Sequence, residues 1–247
     1  MTTSSLIRAK ARAVGLHLAI GLLLFLPFLV LMLGYWYPGP LFWIDGGWQG
    51  VRIMAAVDLV LGPLLTALIY HPAKTRRALL VDFSFIGVVQ LSALLYGGYS
   101  IWLKHPQVLA LHEGVLQAVS ADALREQAVS PEDWQRLGTD RPRRVEVREP
   151  RSAEESAGIT AYLFSAGLAP HQLLFLYEPL RADSPALAAA RQRVREQRAT
   201  DAELDQRLAA APALTDAVEL QGAYGRAWVD LDERLEIRGS RWVASAD

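Results

Sequence analysis

The chain has 247 residues, no cysteine and a formal net charge of −1. Without cysteine there are no disulfides, thiolate metal sites or cysteine nucleophiles. The near-neutral total hides a split: residues 1–104 carry eight Lys/Arg and three Asp/Glu, whereas residues 105–247 carry 17 Arg and 23 Asp/Glu with no basic stripe, which argues against nucleic acid as a partner.

The first apolar run extends from Ala13 to about Tyr37, with His17 as its sole ionisable group. A helix rises about 1.5 Å per residue, so roughly 20 residues cross the hydrocarbon of a bilayer. Arg8, Lys10 and Arg12 precede the run as they would in a signal peptide. The apolar stretch is too long for one, and no small-x-small site stands before Tyr35-Trp36-Tyr37-Pro38. It reads as a retained span, kinked at Pro27. The second run, about Val51 to Tyr70, contains Asp58 and Pro63. The third, about Ala78 to Leu103, contains Asp82 and Gln90. The spans are placed at about 14–36, 51–70 and 79–102, in a transmembrane domain of residues 1–104.

Basic residues set the orientation. Arg8, Lys10 and Arg12 precede the first span, and Lys74, Arg76 and Arg77 lie between the second and third. The loop Pro38 to Gly50 has no Lys or Arg and contains Asp45. The positive-inside rule puts the N-terminus and the second loop in the cytoplasm. Three spans then put the C-terminal domain outside the cytoplasm. Tyr35, Trp36, Tyr37, Trp43, Trp48, Tyr99 and Trp102 are expected at the outer interface, and Arg52 is expected to snorkel to it.

Residues 105–247 read as a small α+β domain. Strand candidates are Val108 to His112, Val115 to Val119, Arg143 to Arg148 and Trp228 to Ile237, the last folding as a hairpin about Asp232-Glu233-Arg234. Ser130-Pro131-Glu132-Asp133 is a helix start, and Ser152 with Glu155 and Thr200 with Glu203 read as capping boxes. Ser184-Pro185 opens a helix that sets Leu187 and Val194 on one face, and Leu204 and Leu208 continue the pattern.

Ionisable groups inside spans are costly and face protein or water. Asp58, Gly62 and Thr66 fall at i, i+4 and i+8, a small polar face that also adjoins Pro63. Asp82, Ile86, Gln90, Ala93 and Gly97 form a comparable stripe, and Gly15 and Ala19 a small-xxx-small pair. These faces meet one another or a foreign helix. For both aspartates the plain alternative is buried glue within the bundle, and Asp82 has a second one, pairing with Arg76 or Arg77. The remaining histidines, His71, His105, His112 and His171, are scattered like His17 and lack metal-ligand spacing. Asp230, Asp232, Glu233 and Glu236 read as a solvated hairpin face. No catalytic residue, metal site or cofactor site is assigned.

The membrane half resembles the TfpX/TfpZ family of type IV pilin accessory proteins. The residues that carry this are Trp36-Tyr37-Pro38-Gly39-Pro40-Leu41-Phe42, then Asp58-Leu59-Val60-Leu61-Gly62-Pro63-Leu64-Leu65-Thr66, Lys74, Asp82, Gln90-Leu91-Ser92-Ala93-Leu94-Leu95-Tyr96-Gly97 and Pro106. His112-Glu113-Gly114 and Val119-Ser120-Ala121-Asp122 extend the likeness, and Gln221-Gly222-Ala223-Tyr224 echoes the family's C-terminal hairpin. The resemblance implies a non-enzymatic factor of the bacterial inner membrane, with a three-helix transmembrane bundle followed by a periplasmic α+β domain. Its implied partners are its cognate type IV pilin, through transmembrane helix and periplasmic head, and membrane lipid. Pilin helices carry a glutamate near a free amino terminus at the cytoplasmic side, and Asp82 lies at the depth to pair with that amine. The competing readings are a membrane-anchored periplasmic ligand-binding sensor and a carrier or protease using Asp58 and Asp82.

Overall fold

The computed structural model describes residues 3–125, 127, 130–209 and 214–244. They form two compact units. One contains the chain up to Tyr35 together with Gly47–Trp102, and the other contains Trp36–Gly46 and the chain from Leu103 onward.

The helical unit holds three helices long and apolar enough to cross a membrane, Ser4–Trp36, Gly47–Ile69 and Arg76–Lys104. The first is α1 (Thr3–Leu31) with a π-helical turn over Met32–Trp36. A short helix, α2 (Leu41–Ile44), follows in the other unit. The second long helix runs through α3 (Gly47–Ala55), a π-helical turn (Ala56–Leu61) and α4 (Gly62–Ile69), and the third is α5 (Arg76–Lys104). Pro63 has no N–H for the carbonyl one turn back, and its ring crowds that carbonyl. The turn widens in response: the Gly62 N–H reaches Val57 O, an i→i−5 bond.

The first helix turns His17, Gly21, Phe25 and Met32 inward. Gly15 and Ala19 are exposed, and nothing lies within 4 Å of where a Gly15 Cβ would sit. The expected small-xxx-small contact is therefore absent at that pair. A residue two places from His17 is rotated by about 200°, onto the opposite side of the helix. The stripe Asp82, Ile86, Gln90, Ala93 and Gly97 does lie on the less exposed side of α5.

The second unit is built on a seven-stranded mixed sheet among the described residues, in the order β4-β3-β1-β2-β5-β6-β7. Its elements are β1 (Pro106–His112), β2 (Val115–Ser120), α6 (Ala121–Arg125), α7 (Pro131–Arg136), β3 (Arg143–Val147), α8 (Ala153–Ala166) and β4 (Tyr177–Pro179). There follow α9 (Pro185–Thr200), α10 (Ala202–Ala209), β5 (Ala217–Gly222), β6 (Gly225–Leu231) and β7 (Ile237–Ala244). The β1–β2 turn has positive φ at Glu113 and Gly114, the geometry a two-residue hairpin loop favours. β1 is central and buried on both faces. Leu109 and Leu111 join a core with Leu187 and Ala190 of α9, while Val108 and Ala110 join Leu124, Leu137 and Tyr177.

The expected strands recur as β1, β2, β3 and the β6–β7 hairpin, whose last strand runs on past Ile237. The expected helix start at Ser130 is present, and Ser130 and Asp133 cap each other reciprocally there. Two other caps differ. Ser152 accepts from the Glu155 N–H, but the Glu155 carboxylate turns to Arg148 at 2.6 Å and to the Arg151 N–H. Thr200 ends α9, its hydroxyl bonding back to Glu196 O, and Asp201 caps α10 through the Leu204 N–H. A carboxylate one residue later is the stronger acceptor for that helix start.

The composition of Trp36–Gly46 suggests a connection at a membrane surface. The segment is instead part of the sheet unit. Tyr37 and Pro40 are buried, Leu41 and Ile44 enter the same core as Leu220 and Val229, and burial pushes the Tyr37 phenol well above its usual range. Ile44 O accepts from the Tyr224 N–H at 2.7 Å, and Asp45 Oδ1 accepts from the Ala223 N–H at 2.9 Å. Gly222 permits this: a Cβ there would lie 2.5 Å from Ile44 O and 2.8 Å from its carbonyl carbon. Both obstacles are backbone and cannot swing aside.

Two outcomes follow. Gly222→Ala costs about 1–3 kcal/mol of stability, measured by thermal or denaturant unfolding of the detergent-purified protein. Asp45 sets a pH dependence. Burial raises its carboxyl to about 7, partly opposed by the Ala223 N–H. A carboxyl raised on folding adds stability at low pH that is lost as pH rises through the folded value. The melting temperature of the wild type therefore falls between about pH 4 and pH 7 and levels off above that, and Asp45→Asn, which keeps an oxygen acceptor without the charge, flattens that fall.

Candidate functional site

The helical unit contains a groove of about 670 Å³ between the first and third long helices, with Asp58 of the second at its floor. The third helix closes on the others at two levels. Near its C-terminal end Gly97 faces Met54, Gly98 faces Phe28 and Ile101 presses on Gly50. Nearer its start Phe83 sits 6.2 Å from Tyr70, ring centre to ring centre. Between these levels the walls are apolar, formed by Leu16, Ile20 and Leu24 on one side and Ile86, Leu91 and Leu94 on the other.

The floor is polar. Asp58 is 8% exposed and lies in the π-helical turn. His17 Nδ1 is 2.9 Å from the buried Thr66 hydroxyl, and His17 is the electrostatic neighbour of Asp58. Gln90 enters from the third helix. A Cβ on Gly62 would lie 2.1 Å from Gln90 Nε2 and 2.6 Å from His17 Nε2, so glycine makes room for both side chains. Asp58, Gly62, Thr66 and Gln90 are thus brought together as their spacing suggests, with Pro63 buried beside them. His17, scattered by its sequence spacing, joins them. The available signal is that it is the sole ionisable group in its run, at i−4 to Gly21.

Asp82 is not part of this cluster. It bonds Lys74 Nζ at 2.7 Å, rather than Arg76 or Arg77. Lys74 reaches it from the loop ahead of the helix. Ala93 is half-buried, and Gly97 packs on Met54 outside the groove lining. Of the aromatic run, Trp36 and Pro38 are half-buried and Gly39 is exposed with φ +62°. Lys10 Nζ ties the first helix to Ala67 O at 2.8 Å.

The sheet unit has a cleft of about 940 Å³, in which Arg148, Arg193 and Glu146 are engaged within the fold. Arg148 holds Glu155, Arg193 donates to Glu113 O, and Glu146 accepts from Ser184. Asp232 in the β6–β7 turn accepts from the Arg234 and Glu236 N–H groups, so it stabilises the turn.

Three long apolar helices carrying a polar floor, together with a mixed α/β unit, define the class: a membrane protein whose special chemistry lies in its helical part. Over 96 residues, 39% of its length, the chain is 34% identical to the fimbrial assembly protein of Dichelobacter nodosus serogroups C1 and C2, covering 73% of that protein. The fimbrial assembly proteins of serogroups E1 and I match at 34% identity over 96 residues as well, with 37% of their lengths covered, so the chain spans little more than a third of those two relatives. No family model and no solved structure matches. The chain belongs to this family of fimbrial assembly proteins.

The two membrane aspartates separate in a stability test. The Lys74–Asp82 pair is 38% and 29% exposed. Pairs that open to solvent contribute little, so Asp82→Asn changes the unfolding free energy by less than about 1 kcal/mol in detergent.

Proposed function

We propose that this chain is an inner-membrane accessory protein, a chaperone or modulator, that binds its cognate type IV pilin and assists its stability or its assembly into pili. The carrying observation is its likeness to fimbrial assembly proteins together with three helices suited to a bilayer. The residues shared with the TfpX/TfpZ pattern support the finer assignment. The distribution of Lys and Arg supports a cytoplasmic N-terminus and a periplasmic sheet domain. In that arrangement the helical part meets the pilin's membrane helix and the sheet unit meets its head. The protein acts by binding and performs no catalysis. Asp82 is available to the pilin amine by exchange, because the half-exposed Lys74 ammonium that holds it is itself an amine.

The test is co-purification. A tagged full-length chain extracted in mild detergent retains its cognate pilin, and deletion of its gene lowers pilin level or surface piliation. No retained pilin, together with unchanged pilin level and piliation in the deletion strain, overturns the reading. Crosslinking from position 82 to the pilin amino terminus tests the exchange; no adduct in an otherwise intact complex removes that pairing.

A further inference from the structure

We propose that the groove over Asp58 is the seat of one transmembrane helix from another chain, and that this helix brings a hydrogen-bond donor to Asp58 and Gln90 at mid-membrane. The proposal rests on the pilin reading only for the identity of that helix.

Depth is the first observation. Asp58 has eleven residues of the second helix on either side, and Gln90 has fourteen of the third on either side. Both lie at the middle of helices suited to a bilayer, where water is scarcest. The second is partnering. Among the described residues no hydrogen bond reaches the Asp58 carboxylate, although the residue is only 8% exposed and lines the groove beside His17, and the Gln90 amide is likewise unbonded. Polar groups without partners in hydrocarbon cost several kcal/mol each. The third is shape. From Ala9 to Leu24 the groove follows the first helix for about 22 Å, roughly four helical turns. Its walls offer mostly apolar contact over that length, with Arg12 near one end.

An acyl chain fills such a groove but brings no donor, and would leave Asp58 and Gln90 as they are. An apolar helix with one serine, threonine, asparagine, lysine or amine at mid-depth satisfies both. Helices also associate in bilayers through such bonds, each worth about 0.6–1.7 kcal/mol. The occupant is therefore a single apolar helix with one central donor. The Lys74–Asp82 pair lies near the start of the third helix, away from this point.

The chain lacks cysteine, so a single introduced thiol is unique. The full-length protein carrying Leu91→Cys, on the groove wall, is labelled and reconstituted in phosphatidylcholine vesicles. Leu68→Cys, on the exposed side of the second helix, is the control. The probes are two synthetic Leu/Ala transmembrane peptides, one with a central asparagine and one wholly apolar, read by energy transfer. The expected result is that the asparagine peptide binds roughly three- to eighteenfold more tightly than its twin, with transfer stronger at position 91 than at 68. Asp58→Leu combined with Gln90→Leu removes the preference, whereas Asp58→Asn, which keeps an oxygen acceptor, retains it. Three outcomes overturn the proposal: equal affinity of the two peptides, equal transfer at both positions, or a disulfide between two unlabelled Leu91→Cys chains that excludes the peptide.

A parallel arm uses the cognate pilin. Peptide discrimination without pilin binding leaves the seat standing and sinks the pilin reading. Pilin retained equally by wild type and Asp58→Leu/Gln90→Leu, with no peptide discrimination, sinks the seat and leaves the pilin reading intact.

Discussion

A carboxylate at the middle of an apolar helix is the constraint from which the helical unit is best understood. Asp58 cannot reach water along 11 residues of helix in either direction. The local backbone is shaped around it. Pro63 opens the π-helical turn that carries Asp58. Gly62 withholds a Cβ so that Gln90 and His17 can approach, and Thr66 holds the imidazole from its other nitrogen. Pro63, Gly62, Thr66, His17 and Gln90 are therefore one arrangement spread over three helices. Among the described residues it leaves the imidazole bonded and the carboxylate without a hydrogen-bond donor.

A second constraint organises the sheet unit. The β5–β6 loop, Ala223-Tyr224, has no positive φ of the kind that two-residue hairpins favour. Its two amides point outward and are taken by Asp45 Oδ1 and Ile44 O. A segment 178 residues earlier in the chain thus completes the hairpin. Leu41 and Ile44 anchor that segment by full burial, worth about 1.5–3 kcal/mol each. The buried Asp45 is held there against the cost of its own charge, which is why its carboxyl moves toward neutrality.

Much of this was legible in the chain. The long helices announce themselves by hydropathy, and Asp58, Gly62 and Thr66 by spacing. β1 and β2 announce themselves as short apolar runs on either side of Glu113-Gly114. Other parts were not legible, for physical reasons. β4 has only three residues, too few for periodicity. Gly15 and Ala19 have the spacing of a packing motif, but small size permits approach without causing it. The face is set by His17, Gly21 and Phe25. Trp36 to Asp45 reads as an aromatic membrane border because its composition matches one. Its burial depends on a hairpin remote in sequence, which no local pattern reveals.

The groove and the family membership constrain each other. In the function proposed above, a protein that assists fibre assembly holds a membrane helix and later releases it. Apolar packing alone gives little selectivity, since lipid tails are as apolar as leucine. A single hydrogen bond at mid-depth distinguishes a helix with a donor from lipid and from other helices, yet at about 0.6–1.7 kcal/mol it is weak enough to be exchanged. Filling Asp58 permanently from within the chain would abolish that distinction. An acceptor kept open in hydrocarbon is costly in isolation and useful only in the presence of a partner, which is what the proposed seat for a membrane helix would supply.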